Sequence, residues 1–164
     1  MKHYGITGWK NCGKTGLMER LVTHFTGQGL RVSTIKHTHH AVDLEVAGTD
    51  THRHRVAGAD QVMLASASRS ALLTEHRDAP EPELRDLLAQ MVPVDLVLVE
   101  GFKSSDHPKV EAHRAAAGTS ALLAETNMTI RAVASDSNPS ASVPVFDLDD
   151  TAAIASFIAQ DLGL

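Results

Sequence analysis

Gly8-Trp9-Lys10-Asn11-Cys12-Gly13-Lys14-Thr15 is the stretch that decides the fold. It fits the P-loop pattern G-x-x-x-x-G-K-[ST] without a mismatch. The two glycines let the backbone curl, so that the N–H groups of the loop, including those of Trp9, Lys10, Asn11 and Cys12, point inward at a phosphate chain. Lys14 reaches the β- and γ-phosphates, and the Thr15 hydroxyl is placed to ligate Mg²⁺. The helix that follows, opening around Gly16, adds its positive dipole end.

The flanks fit the pattern. Residues 3–7 read as a short strand running straight into the loop, and Leu17, Leu21, Val22 and Phe25 follow at helical spacing. Gly27-Gln28-Gly29 closes that helix, and residues 30–35 form a second strand. Further on, residues 51–57 read as a short helix, 61–65 and 71–74 as strands, and 83–91 as a helix with Leu84, Leu87, Leu88 and Met91 on one face. Residues 94–100 (Val-Asp-Leu-Val-Leu-Val-Glu) make the strongest strand, apolar enough to be buried on both faces of a parallel sheet. Strands are also expected at 110–113, 130–134 and 143–148. A terminal helix over 149–161 is capped by Asp149 or Asp150, with Ile154, Phe157, Ile158 and Leu162 inward. This alternation predicts an α/β, P-loop NTPase-like three-layer fold with a mostly parallel central sheet and additional strands.

A hydrophobic share of 43% over 164 residues is enough for one globular domain, residues 1–164, with a sizeable core. The net charge of −5 argues against a broad nucleic-acid footprint, and no apolar run approaches the ~20 residues of a membrane helix. The first strand begins at once, so no leader is expected. The single cysteine, Cys12, excludes an internal disulfide and suits the reducing cytoplasm, the expected location.

A P-loop site also needs an acidic residue at the end of a neighbouring buried strand to hold Mg²⁺. Asp95 and Glu100 flank the strongest strand, but five residues at about 3.3 Å each separate them by roughly 16 Å. Only one serves the metal. Phosphate sits at the carboxyl ends of such strands, which selects Glu100 as metal ligand and catalytic acid beside Lys14, and leaves Asp95 to cap the far end. Gly101 then permits close approach of backbone to ligand.

Residues 36–50 are polar, aperiodic and histidine-rich, with His37, His39 and His40 followed by His52 and His54. Lys36 and Arg53 with the imidazoles of His37 and His40 suit a second phosphate-bearing ligand. A plain polar loop or a structural metal remain open beside this, although no tight metal-binding spacing is present. Asp136, at a strand end, is placed to accept from guanine N1–H and N2–H₂, or else to open the turn at Ser137-Asn138-Pro139.

The chain resembles the molybdopterin-guanine dinucleotide biosynthesis protein B (MobB) family. Beside the P-loop, the resemblance is carried by Lys36-His37-Thr38-His39-His40, by Gly48-Thr49-Asp50 with Arg53-His54, by Ala57-Gly58-Ala59, by Val99-Glu100-Gly101-Phe102-Lys103 and by Ala134-Ser135-Asp136. It implies GTP and Mg²⁺ binding with weak hydrolysis, a homodimer with an extended sheet, and a helper role beside the guanylyltransferase that attaches GMP to molybdopterin, with molybdopterin itself a possible ligand. Glu45 and Gly16 depart from the family pattern, which more often has Asp and Thr or Ser there. Two other readings compete: a metal-delivery GTPase for a nickel or cobalt enzyme, suggested by the histidines, and a small-molecule kinase. The kinase reading is weakened by the scatter of Arg53, Arg55, Arg69, Arg77 and Arg85, which form no obvious lid.

Overall fold

The computed structural model describes residues 1–38, 42–118 and 121–164. In chain order its elements are β1 (Lys2–Thr7), α1 (Lys14–Gly27), β2 (Val32–Lys36), α2 (Asp50–Val56), β3 (Gln61–Ala65), β4 (Ser70–Thr74), α3 (Leu84–Gln90), β5 (Leu96–Glu100), β6 (Lys109–His113), β7 (Ile130–Ser135), β8 (Val145–Asp147) and α4 (Thr151–Leu162). They form two compact units, one from residues 1–38 and 91–164, the other from residues 39–90.

The first unit carries a six-stranded sheet in the order β2-β5-β1-β6-β7-β8, with every neighbouring pair parallel. The α/β fold with a parallel central sheet, expected from the alternation of patterns, therefore forms. Burial explains the strand composition: Leu96, Val97, Leu98 and Val99 all have zero exposure, as a strand covered on both faces requires. Each such side chain contributes roughly 1.5–3 kcal/mol on leaving water.

One sheet face packs against α1 and α4. Tyr4, Ile6, Leu96, Leu98, Val110, Ala112, Ala132 and Ala134 meet Leu17, Met18, Leu21 and Phe25 of α1 and Ile154, Ala155 and Ile158 of α4 there. Asp150 caps α4 by accepting from the Ala153 N–H at 3.0 Å, and the Arg20 guanidinium ties the two helices by donating to Thr151 Oγ1 (2.9 Å) and the Leu148 carbonyl (2.6 Å).

The opposite face is unusually polar. Lys109, Glu111 and His113 point there from β6, and all are buried. Glu111 accepts from the backbone N–H groups of Leu123 and Ala124, both at 2.9 Å, which docks the short 3₁₀ turn at residues 123–125 onto the sheet. Burial pushes the Lys109 amine down to about 8. It nonetheless stays charged at neutral pH, donating to the carbonyls of Ser105 and His107 and to Thr129 Oγ1.

His107 is 3% exposed, and among the described residues neither ring nitrogen has a hydrogen-bond partner. Its ring presses on Gly5, where a Cβ would stand 2.5 Å from Nε2. Burial, with the charge of Lys109 and the nearby His3, pushes its pKa down to about 3. Below the ordinary histidine value the unfolded chain takes up a proton that the native ring refuses, so stability falls as pH drops from about 6.5 toward 3. Urea unfolding at about pH 7.5 and about pH 5 should show His107→Leu losing about 1–2 kcal/mol less than the wild type over that interval. Equal losses would show that the ring titrates freely in the native state.

The second unit is built differently. β3 and β4 pair antiparallel as an isolated hairpin, with Met63 directly opposite Leu72 and both exposed. Arg55 on α2 gathers three acids of this unit: Nη2 lies 3.0 Å from Asp43, Nε 2.5 Å from Glu45 and Nη1 3.5 Å from Glu75. Glu45 is thus engaged by an arginine.

Candidate functional site

Thr7 ends β1, and the loop that follows curls through positive φ at Gly8 (138°), Asn11 (63°) and Gly13 (91°). Gly13 caps α1 in the left-handed conformation without any side chain bonding the first-turn N–H groups. Those donors are left aimed at the loop's concavity, as an anion site at a helix N-terminus requires. Gly8 is needed for a second reason. A Cβ there would sit 2.3 Å from the Ala112 carbonyl oxygen and 2.6 Å from Cys12 Sγ. Cys12, 2% exposed, packs inside the curl and donates to the Trp9 carbonyl at 2.8 Å.

The cavity in front of the loop has a volume of about 410 Å³ and is lined by Asn11, Cys12, Gly13, Lys14, Thr15, Gly16, Glu100 and Arg114. Lys14 Nζ is held at its edge, donating to the carbonyls of Gly8 (3.2 Å) and Trp9 (2.6 Å). Thr15 Oγ1 faces both Glu100 oxygens, at 3.3 and 3.5 Å. Two oxygens on adjacent corners of a Mg²⁺ octahedron, each about 2.1 Å from the ion, stand roughly 3 Å apart, so this pair fits the ion. The donor-lined loop likewise fits a phosphate chain.

The two acids of the β5 region lie in different places. Glu100 is the last residue of β5 and lies beside Thr15, whereas Asp95 precedes the strand and accepts from the Arg31 N–H at 2.7 Å. Lys36 requires a correction: it belongs not to the loop but to the end of β2, in register with Glu100, and its ammonium lies 3.6 Å from that carboxylate. Gly101 also differs from expectation. Its backbone approaches His37, whose Cβ would stand 3.0 Å from a Cβ at Gly101. His37 donates its backbone N–H to the Glu100 carbonyl (2.9 Å) and lays its ring 4.4 Å from that of Phe102. The left-handed turn at Gly101 and Phe102 thus locks the acid's strand end to the His37 segment.

Around the rim, Trp9 donates its indole N–H to the Ala121 carbonyl at 3.0 Å, and Lys103 Nζ lies 4.6 Å above its ring. Lys10 is exposed. Asp136 follows β7 and accepts from the Ala115 N–H at 2.9 Å, so it serves the local turn while remaining exposed at a strand end. Arg53 lies on α2 in the second unit. His40, with His39, falls outside the described residues. Among the described residues, no three His, Cys, Asp or Glu side chains converge as a metal site would need. No helix among them is long and apolar enough to cross a membrane.

Arg114 and the His37–Phe102 stack were not legible in the sequence. An arginine directly after a weak strand carries no motif, and only the pairing of β6 beside β1 brings it to the loop.

The family model described as molybdopterin guanine dinucleotide synthesis protein B (MobB) matches residues 4–136. The molybdopterin-guanine dinucleotide biosynthesis adapter protein of Escherichia coli (strain K12) is 36% identical over 157 residues, 94% of this chain and 90% of its own length. Its counterpart from Haemophilus influenzae is 44% identical over 113 residues, which cover 67% of this chain and 62% of that protein. Among solved structures, a MobB homolog from Bacillus stearothermophilus aligns over 99% of both chains with a TM-score of 0.75 at 29% identity. A crystal structure of molybdopterin-guanine biosynthesis protein B shares the fold with a TM-score of 0.77 at 23% identity, over 98% of this chain and 99% of that one. Matched over most of its length by the family model and at 36% identity by a nearly full-length relative, the chain belongs to the molybdopterin guanine dinucleotide synthesis protein B family.

Proposed function

We propose that the protein is a cytoplasmic GTP-binding adapter of molybdopterin guanine dinucleotide synthesis, with weak Mg²⁺-dependent GTPase activity. In this reading it assists the guanylyltransferase that attaches GMP to molybdopterin. The observation that carries the reading is the facing pair Thr15 and Glu100 at the mouth of a donor-lined P-loop, in a chain whose relatives are named as adapters of that synthesis. The loop N–H groups hold the phosphates and Lys14 follows the β- and γ-oxygens. Thr15 and Glu100 would hold Mg²⁺, which would supply charge neutralisation at the phosphates. Lys36, close to Glu100, keeps the carboxylate flanked by positive charge on the β2 side. Guanine is taken as the base from the family, with Asp136 as its acceptor, and the basic and histidine side chains His37, His40 and Arg53 are each left as candidates for an anionic second ligand such as the pterin. Self-association through the hairpin is consistent with the exposed Met63–Leu72 pair.

The test combines the purified protein, GTP, Mg²⁺, molybdopterin and the guanylyltransferase, and follows dinucleotide formed per unit of enzyme. Adding the wild-type protein should raise the yield, and GTP should be slowly hydrolysed. Glu100→Gln should lower Mg²⁺-dependent hydrolysis about tenfold or more while GDP affinity changes little. Asp95→Asn should leave both unchanged, since Asp95 bonds the far end of the sheet. A loss of Mg²⁺ dependence in Asp95→Asn but not in Glu100→Gln would reverse the assignment. No effect of the wild-type protein on dinucleotide yield would remove the adapter role.

A further inference from the structure

Of the side chains lining the phosphate cavity, Arg114 is the one with a buried polar atom, Nε, that no group among the described residues satisfies. Among the described residues its guanidinium has neither a hydrogen bond nor a carboxylate partner. The group is charged at every accessible pH and carries five donors in a rigid fork matched to phosphate oxygens. Leaving Nε–H desolvated and unpaired is costly, so such a group stands where a ligand completes it.

Its position says which part of a ligand that is. Arg114 follows β6, which flanks β1 on the side opposite β5. The guanidinium lies across the loop at Gly13, where a Cβ would come 2.8 Å from Nε and 3.5 Å from Nη2. Glu100 and Thr15 mark the other side of the cavity, toward β5. Thr15 and Glu100 would hold the Mg²⁺ that accompanies the terminal phosphates, which places the γ-phosphate end of a nucleotide on the acid side of the cavity. A phosphate chain running from there along the loop meets Arg114 at its inner end.

Resting on the nucleotide-binding reading above, we infer that Arg114 binds the α- and β-phosphate oxygens of a nucleoside diphosphate unit, the part common to GDP and GTP. It orients the nucleotide across the strand ends, with the γ-phosphate toward β5 and the nucleoside toward β7. The Asp136–Ala115 hydrogen bond, one residue past Arg114, ties the β7 end to the segment that presents the guanidinium. Arg114 is in this account a binding residue for both nucleotides and not a γ-phosphate sensor.

Isothermal titration of GDP and of GTP with Mg²⁺ into wild type, Arg114→Gln, Arg114→Lys and Lys14→Ala tests this, with thermal unfolding of each nucleotide-free protein alongside. Arg114→Gln should weaken GDP and GTP by the same factor, about tenfold to a hundredfold, with its melting temperature unchanged. Arg114→Lys, which keeps charge but loses the fork, should weaken both by a smaller common factor. Wild-type affinity in Arg114→Gln, or a loss confined to GTP, would overturn the assignment. Should Arg114→Gln fail to fold, the lysine variant decides: a shared loss supports the contact, and undiminished affinity refutes it. A wild type that binds neither nucleotide would instead fell the nucleotide-binding reading, and this assignment with it. Tight wild-type binding with unaffected Arg114 variants would fell this assignment alone.

Discussion

Lys14→Ala is expected to weaken GTP binding about tenfold to a hundredfold, the loss of one charge-assisted contact worth roughly 1.5–3 kcal/mol. The fold should survive. Lys14 is only part-buried, and its ammonium bonds two carbonyls of its own loop, with only the Cys12 Sγ of that loop beside it at 3.6 Å. Removing it leaves the Gly8 and Trp9 carbonyls at a wet cavity edge, where water replaces the donor at little cost. GDP should lose less than GTP, because the lysine reaches the β- and γ-oxygens and the γ-oxygens are absent from the diphosphate. Titration of both nucleotides checks the pattern, with circular dichroism confirming the fold. Unchanged GTP affinity would remove the phosphate-binding role of the loop.

Gly8→Ala should be more damaging than any other single methyl added to the loop, and Gly16→Ala should do the reverse. At Gly8 the new Cβ would stand 2.3 Å from the Ala112 carbonyl oxygen, a backbone atom of β6 that cannot rotate away. The φ of 138° adds strain of order 1–3 kcal/mol for an L side chain. Together these should lower stability by about 3 kcal/mol or more and abolish measurable GTP binding, since the loop must leave its curl to relieve them. Gly16 lies in the first turn of α1, where a Cβ would meet only Arg20 Nη1 at 3.6 Å. Alanine there should stabilise by about 0.4–1 kcal/mol through the unfolded chain's lost freedom. Denaturant midpoints for the two variants should move in opposite directions. A Gly8→Ala protein as stable as wild type would mean that β6 does not crowd the loop.

Much of this molecule follows from local pattern. The P-loop needs only two glycines, a lysine and a threonine between a strand and an amphipathic helix, and each of those signals is contained within its own dozen residues. The apolar run of β5 declares burial on both faces, and strand length alone separates Asp95 from Glu100. Where local pattern misplaced an edge, a distant partner was responsible. β2 begins at Val32 and not at Leu30, because Leu30 donates to the Phe25 carbonyl and Arg31 exchanges bonds with Asp95. The same pairing carries β2 on to Lys36, in register with Glu100, and so turns an expected loop lysine into the neighbour of the acid. Gly101 serves the backbone of His37 for the same reason.

Local periodicity says that a segment is a strand and which of its side chains are apolar, but it carries no information about which strand lies beside it. That choice is made by burial across the whole sheet. In this protein it places β6 next to β1, which crowds Gly8 with a carbonyl and brings Arg114 over Gly13. It also turns Lys109, Glu111 and His107 inward against short turns that meet the charged groups' hydrogen bonds while leaving the histidine neutral. The sequence by itself determined the P-loop pattern, the place of Glu100 at the end of a buried strand and the α/β class, because those depend on chain-local geometry. Only the tertiary structure decided Arg114, the Lys36–Glu100 pair and the polar underside of the sheet, because each is a contact between strands whose adjacency is a property of the assembled sheet.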